Sequence, residues 1–142
     1  MHVALHVPAA VFCVTALIVG ATAHAAGTVF VCQGAKADAA RKIARTNDLK
    51  LGLEPNACFG EIKLTESNRR QIVVSAPAPE CKSGKLLDVY DRSRAGLYHS
   101  LFAKPVCGTR ISVGPKSPYG DNMITIDGQR YMEKGAHFVR VK

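Results

Sequence analysis

Four cysteines, Cys32, Cys58, Cys81 and Cys107, follow an N-terminal stretch that reads as an export signal, and this pairing constrains the fold more than any other feature. Residues 7–21 form an apolar run broken by Pro8, Cys13, Thr15 and Gly20. The run leads into Ala23-His24-Ala25, a small-x-small cleavage site. No Lys or Arg precedes it, so His2, His6 and the amino terminus supply what positive charge the leader has. It falls short of the roughly 20 apolar residues that a bilayer span needs. Residues 1–25 are therefore expected to be removed as a signal peptide, leaving residues 26–142 as one secreted or periplasmic domain without a membrane span. In an oxidising compartment, an even number of cysteines predicts disulfides rather than free thiols. Four cysteines allow three connectivities, and the sequence leaves the choice open. Pairing Cys32 with Cys58 and Cys81 with Cys107 would cross-link each half locally, each bridge closing a loop of about 25 residues and stabilising by roughly 3 kcal/mol.

All Lys, Arg, Asp and Glu lie beyond residue 25, so the formal charge of +8 belongs wholly to the domain. Such a surface favours acidic partners: anionic glycans, lipopolysaccharide, nucleic acid or an acidic protein surface. No run of five or six like charges occurs, and the basic doublets are Arg41-Lys42 and Arg69-Arg70. Trp is absent and aromatic residues make up 6% of the chain, which argues against the stacking platform that single-stranded nucleic acid or apolar sugar faces usually need. No nucleic-acid partner is expected.

Along the chain, residues 28–32 (T-V-F-V-C) read as a short buried strand between Gly27 and Gly34. The period then changes: Ala35, Ala39, Ala40, Ile43 and Ala44 share one helical face, with Arg41, Lys42 and Arg45 on a solvated opposite face and a stop at Asn47. Residues 59–64 and 71–75 predict a hairpin with a basic tip, and Ala76-Pro77-Ala78-Pro79 predicts a loop that excludes regular pairing and is pinned by Cys81. Residues 86–102 read as the main helix, with Leu86, Leu87, Tyr90, Leu97, Tyr98 and Leu101 on one side, Ser83 as cap, Lys104-Pro105 as stop and Gly96 as its weak point. Residues 109–113, 123–126 and 129–132 predict strands, the last two joined by Asp127-Gly128, a type I′ hairpin signal. Residues 137–141 add a last strand or extend the one before. The resulting β-α-β-β-α-β-β order predicts a β-rich α+β fold, a small disulfide-stapled barrel of the oligonucleotide- and oligosaccharide-binding (OB-like) kind.

Several short segments resemble the pentamer-forming B subunits of bacterial A-B toxins, in particular the smaller subunits of the pertussis toxin class. These are Val31-Cys32 followed by Ala35-Lys36, Cys58-Phe59-Gly60 leading to Lys63-Leu64, and Gly114-Pro115-Lys116. The resemblance covers about a third of the domain and implies an oligosaccharide-binding barrel that recognises host-surface glycans, in a homo- or hetero-oligomeric ring with a toxic enzymatic subunit. The chain departs from that family in its later cysteines, since Cys81 and Cys107 bracket the expected main helix and none follows. The alternative reading is a periplasmic inhibitor or immunity protein that binds an acidic partner.

No catalytic motif stands out. Two histidines remain beyond the leader, His99 and His137, and nothing in their spacing requires them to converge as acid and base. Asp88 and Asp91 read as helix-surface carboxylates beside Arg92 and Arg94. Ser112 lacks a nucleophile elbow, the cysteine spacing does not suit zinc, and no glycine-rich phosphate loop is present, so neither enzyme activity nor a cofactor or metal is expected. The best binding candidate is the turn-rich stretch 114–122. Tyr119 offers an exposed ring there, and Lys116, Ser117, Asp121 and Asn122 offer hydrogen-bonding groups to a sugar. An apolar arc of Leu97, Tyr98, Leu101 and Phe102 on the main helix predicts contact with a neighbouring subunit.

Overall fold

The computed structural model describes residues 27–64 and 70–142; the expected signal peptide, Cys13 and residues 65–69, where the basic hairpin tip is expected, lie outside the described residues. The first helix, α1 (Ala35–Asn47), forms where its period predicts. It ends at Asp48, whose N–H makes the last bond to the Ala44 carbonyl and whose left-handed backbone (φ 52°) turns the chain so that Leu49 N–H reaches the same carbonyl at 2.9 Å. Its buried face centres on Ala37 and Ala44 with Ala40 and Ile43 alongside, while Ala35 and Ala39 are exposed. A 3-10 turn, Lys50–Leu53, folds back beneath it. Arg41 is not on a solvated face. Its guanidinium donates to the carbonyls of Cys32 and Ala57, pairs with Asp38 at 3.2 Å and lies 5.6 Å from the centre of the Phe59 ring, clamping the helix to the segment before it.

Among the described residues nine strands follow: β1 (Cys58–Ile62), β2 (Gln71–Pro77), β3 (Lys85–Arg92), β4 (Tyr98–Ser100), β5 (Val106–Cys107), β6 (Ile111–Val113), β7 (Met123–Ile126), β8 (Gln129–Lys134) and β9 (His137–Arg140). They make two antiparallel sheets, β1-β2-β3-β4 with β5 also on β3, and β6-β7-β8-β9. The expected main helix is absent: residues 86–102 form β3, a turn and β4. Strand β3 is central and buried on both faces, so apolar residues fall on both parities and the period of two disappears from the sequence. Leu87 and Val89 join one core, and Leu86 and Tyr90 join the other. Gly96, which would weaken a helix, sits at φ 85° in the β3–β4 turn, where Leu97 O accepts from Ser93 N–H at 2.7 Å. Strand β2 also runs further than expected, to Pro77. Pairing with β1 stops at Ser75, and Ala78 N–H bonds Gly84 O at 2.8 Å, so the missing N–H of Pro77 falls on the side that β1 has already left.

The sheets face each other across one core, with Ile62, Val73, Leu87 and Val89 from the first and Ile111, Ile124, Ile126 and Phe138 from the second. Phe102 joins them, its ring 5.6 Å from Tyr131 edge-on and 5.9 Å from Phe138. Helix α1 and the 3-10 turn cover the other face of the first sheet over Phe59, Val74, Ala76 and Tyr90. The order is helix, sheet, sheet, and the strands do not close into one barrel. Isolated backbone bonds lace the two seams instead. On one side Val31 exchanges bonds with Phe59 at 2.8 and 2.9 Å while Thr28 N–H donates to Ile111 O at 2.8 Å; on the other, Phe138 N–H donates to Leu101 O at 2.7 Å. Residues 28–32 therefore make a single bridge rather than a full strand. Two disulfides, Cys32–Cys58 and Cys81–Cys107, staple the N-terminal segment to β1 and the β2–β3 loop to β5. They fit an oxidising, non-cytoplasmic compartment. Among the described residues, no helix is long and apolar enough to cross a membrane.

Candidate functional site

The stretch 114–122 links β6 to β7 and is built around one buried hydroxyl. Ser117, 7% exposed, accepts at Oγ from the N–H groups of Tyr119 (3.2 Å) and Asp121 (3.0 Å) and donates to Asp121 Oδ2 at 3.2 Å. Its backbone N–H reaches Asp121 O, and its carbonyl accepts from Gly120 N–H, both at 2.9 Å. Ser117 and Asp121 are thus spent on holding the turn. Tyr119 is left 89% exposed at its tip, with Lys116 exposed beside it. Asn122 is drawn into the sheet end, its Nδ2 donating to Glu133 Oε2 at 2.8 Å and its carbonyl accepting from Glu133 N–H. Its Oδ1 is buried and meets no donor among the described residues. The five residues therefore form one constellation with two roles: Tyr119 and Lys116 face outward, and Ser117, Asp121 and Asn122 set their position.

The most buried carboxylate is one that the helical reading placed on the surface. Asp88, on β3, is 3% exposed and faces the α1 side, where its Oδ1 accepts from Ser100 Oγ at 2.6 Å and from Val89 N–H at 2.8 Å. Burial pushes its carboxyl above the ordinary range, against the pull of hydrogen bonds from Ser100, Tyr90 and Val89. Tyr90 is raised in turn by burial, by the Asp88 charge and by its hydrogen bond to Asp88; the Leu51 N–H donating to its hydroxyl opposes this. Asp91 lies on the opposite face of β3 and accepts from Gln71 Nε2 at 3.2 Å. The pair does not act together. Had β3 been read as a two-sided strand, an acidic residue at its middle would have marked a buried polar network.

The second sheet leaves one face open. Its inward residues include Ile111, Ile124, Ile126 and Phe138, and the alternation of side chains sends Arg110, Ser112, Met123, Thr125, Arg130, Met132, Lys134, His137 and Val139 outward. A cleft of about 540 Å³ runs along the β6 border of this face, lined by Gly27, Arg110, Ser112, Pro115, Thr125 and Asp127. A second groove, about 450 Å³, lies between α1 and β1 beside the exposed Val29, with Lys36, Glu61 and Arg70 at its rim. His99 lies on β4 and His137 on β9, in different sheets. Leu101 and Phe102, placed by the helical reading on a subunit-facing arc, are buried in the core, whereas Leu97 stays 66% exposed in the β3–β4 turn. Compared with known proteins, the chain matches no family model, no curated protein and no solved structure.

Proposed function

We propose that this chain is an exported, non-enzymatic binding module of the toxin B-subunit kind that recognises host-surface glycans through the 114–122 turn. The observation that carries this reading is Tyr119, an aromatic ring 89% exposed yet mounted on a turn whose backbone is fixed by the buried Ser117 hydroxyl. A ring held in place stacks on the apolar face of a sugar with little ordering cost, and Lys116 beside it donates to ring hydroxyls. The two facing sheets, laced at their seams by single bonds, are read here as an open and flattened OB-like barrel. One such shallow site binds weakly, and a ring of subunits would turn repeated weak contacts into avidity. Glycan-array binding by the disulfide-intact protein tests the reading directly. We expect Tyr119→Ala to weaken binding about tenfold or more with the fold retained, as the loss of an aromatic anchor does. Absence of any glycan signal, or binding unchanged by Tyr119→Ala, overturns it.

A further inference from the structure

An antiparallel sheet with one face on the core ordinarily turns polar residues to water on the other. The outward face of β6–β9 departs from that pattern. Met123, Met132 and Val139 are cross-strand neighbours in register, so they form a continuous apolar row over three strands. None of them belongs to either core, and Val139 is 40% exposed. The groups flanking this row are cationic or hydroxylic. Thr125 pairs with Arg130 on one side and Lys134 with His137 on the other, while Ser112 and Arg110 continue the face onto β6. Arg110, Arg130 and Lys134 make no ion pair among the described residues. Among the described residues the carboxylate of Asp127 borders the face, and its oxygens accept from the N–H groups of Thr109 and Arg110 and from the Thr109 hydroxyl at 2.9 to 3.1 Å.

We propose that this face docks an acidic protein surface, with Arg110, Arg130 and Lys134 pairing with the partner's carboxylates on either side of an apolar contact seated on Met123, Met132 and Val139. The unpaired cations supply charge complementarity and steer encounter, and flexible thioethers adapt to apolar side chains. Among the described residues the face has no Phe, Tyr or Trp, since Tyr131 points inward against Phe102, and His137 at its edge is a single ring rather than a stacking platform for successive nucleic-acid bases. This surface is distinct from the Tyr119 tip and does not depend on the glycan reading. It is the kind of surface that an inhibitor or immunity protein would use.

The probe is a synthetic extended peptide alternating Glu and Leu, titrated calorimetrically into the disulfide-intact protein. Binding is expected to weaken with salt. Arg130→Glu combined with Lys134→Glu is expected to weaken it about tenfold or more, because unlike charges across the interface become like, and Met132→Gln several-fold, because a polar amide replaces the apolar contact. Lys42→Glu combined with Arg45→Glu makes the same charge change on exposed positions of α1 and is expected to leave binding within about twofold. Tyr119→Ala should leave it unchanged, which separates this surface from the glycan site. Circular dichroism and thermal melts establish that each variant is folded. Equal losses in the β8 and α1 variants, no peptide binding, or tighter binding to a single-stranded DNA oligonucleotide or to phosphatidylserine vesicles would each overturn the proposal.

Discussion

The Ser100 hydroxyl lies 2.6 Å from Asp88 Oδ1 and 2.8 Å from the Phe102 carbonyl, and its one proton can serve only one of these acceptors. Burial favours the neutral carboxyl of Asp88 and outweighs the hydrogen bonds from Ser100, Tyr90 and Val89, which favour the charged form. Folded Asp88 keeps its proton to higher pH than the unfolded residue, whose value is 3.8, so above that pH the folded state holds more protons than the unfolded one. Stability from this group is fully present below the unfolded value and is lost as pH rises towards the raised folded value. Urea unfolding of wild type and Asp88→Asn should therefore show the wild-type advantage shrinking as pH rises from about 3.5 to 6.5. A difference that stays constant over this range, or grows, contradicts the assignment.

Hairpins show how far local chemistry reaches. Asp127-Gly128 was legible as a type I′ turn, and both residues take positive φ, at 48° and 81°. What the local pattern did not show is the second task of Asp127, whose carboxylate gathers Thr109 and Arg110 and so fixes the approach to β6. Asp127→Ala loses these bonds together with the residue's tolerance of left-handed backbone. It is expected to cost about 1–3 kcal/mol in urea unfolding, with Asp127→Asn costing less. An Asp127→Asn variant as stable as wild type would reduce the carboxylate to a turn former. Helix α1 was legible for a related reason: its contacts span one face, and three-to-four spacing survives when only one side is buried.

Across the whole molecule, the two sheets are joined at seams rather than closed as a barrel, and Gly60 sets one of these seams. A Cβ there would lie 2.5 Å from Thr28 Cγ2 and 2.9 Å from Val29 O, so the N-terminal segment can cross β1 only over a glycine. Gly60→Val should push the segment away. Amide exchange at Thr28 and Val31 is then expected to quicken about tenfold or more while Phe138, on the opposite seam, stays protected. Uniform loss of protection would show instead that the seams open together.

Sequence by itself determined the elements whose evidence is local: a helix with one buried face, hairpins with turn residues that require positive φ, and four cysteines beyond residue 25 able to pair. It also picked out the 114–122 turn, because Gly, Pro, Ser and Asn punctuate the chain there. Tertiary structure decided the rest. A strand buried between a helix and a second sheet carries apolar residues on both faces, so β3 has no visible period and reads as a helix until its neighbours are in place. The same burial turned Asp88 from a surface carboxylate into the centre of a hydrogen-bonded network. The cysteine connectivity, the meeting of the sheets over Phe102 and the cation-flanked face of the second sheet all depend on which strands lie side by side, and pairing between distant segments is a property of the assembled fold.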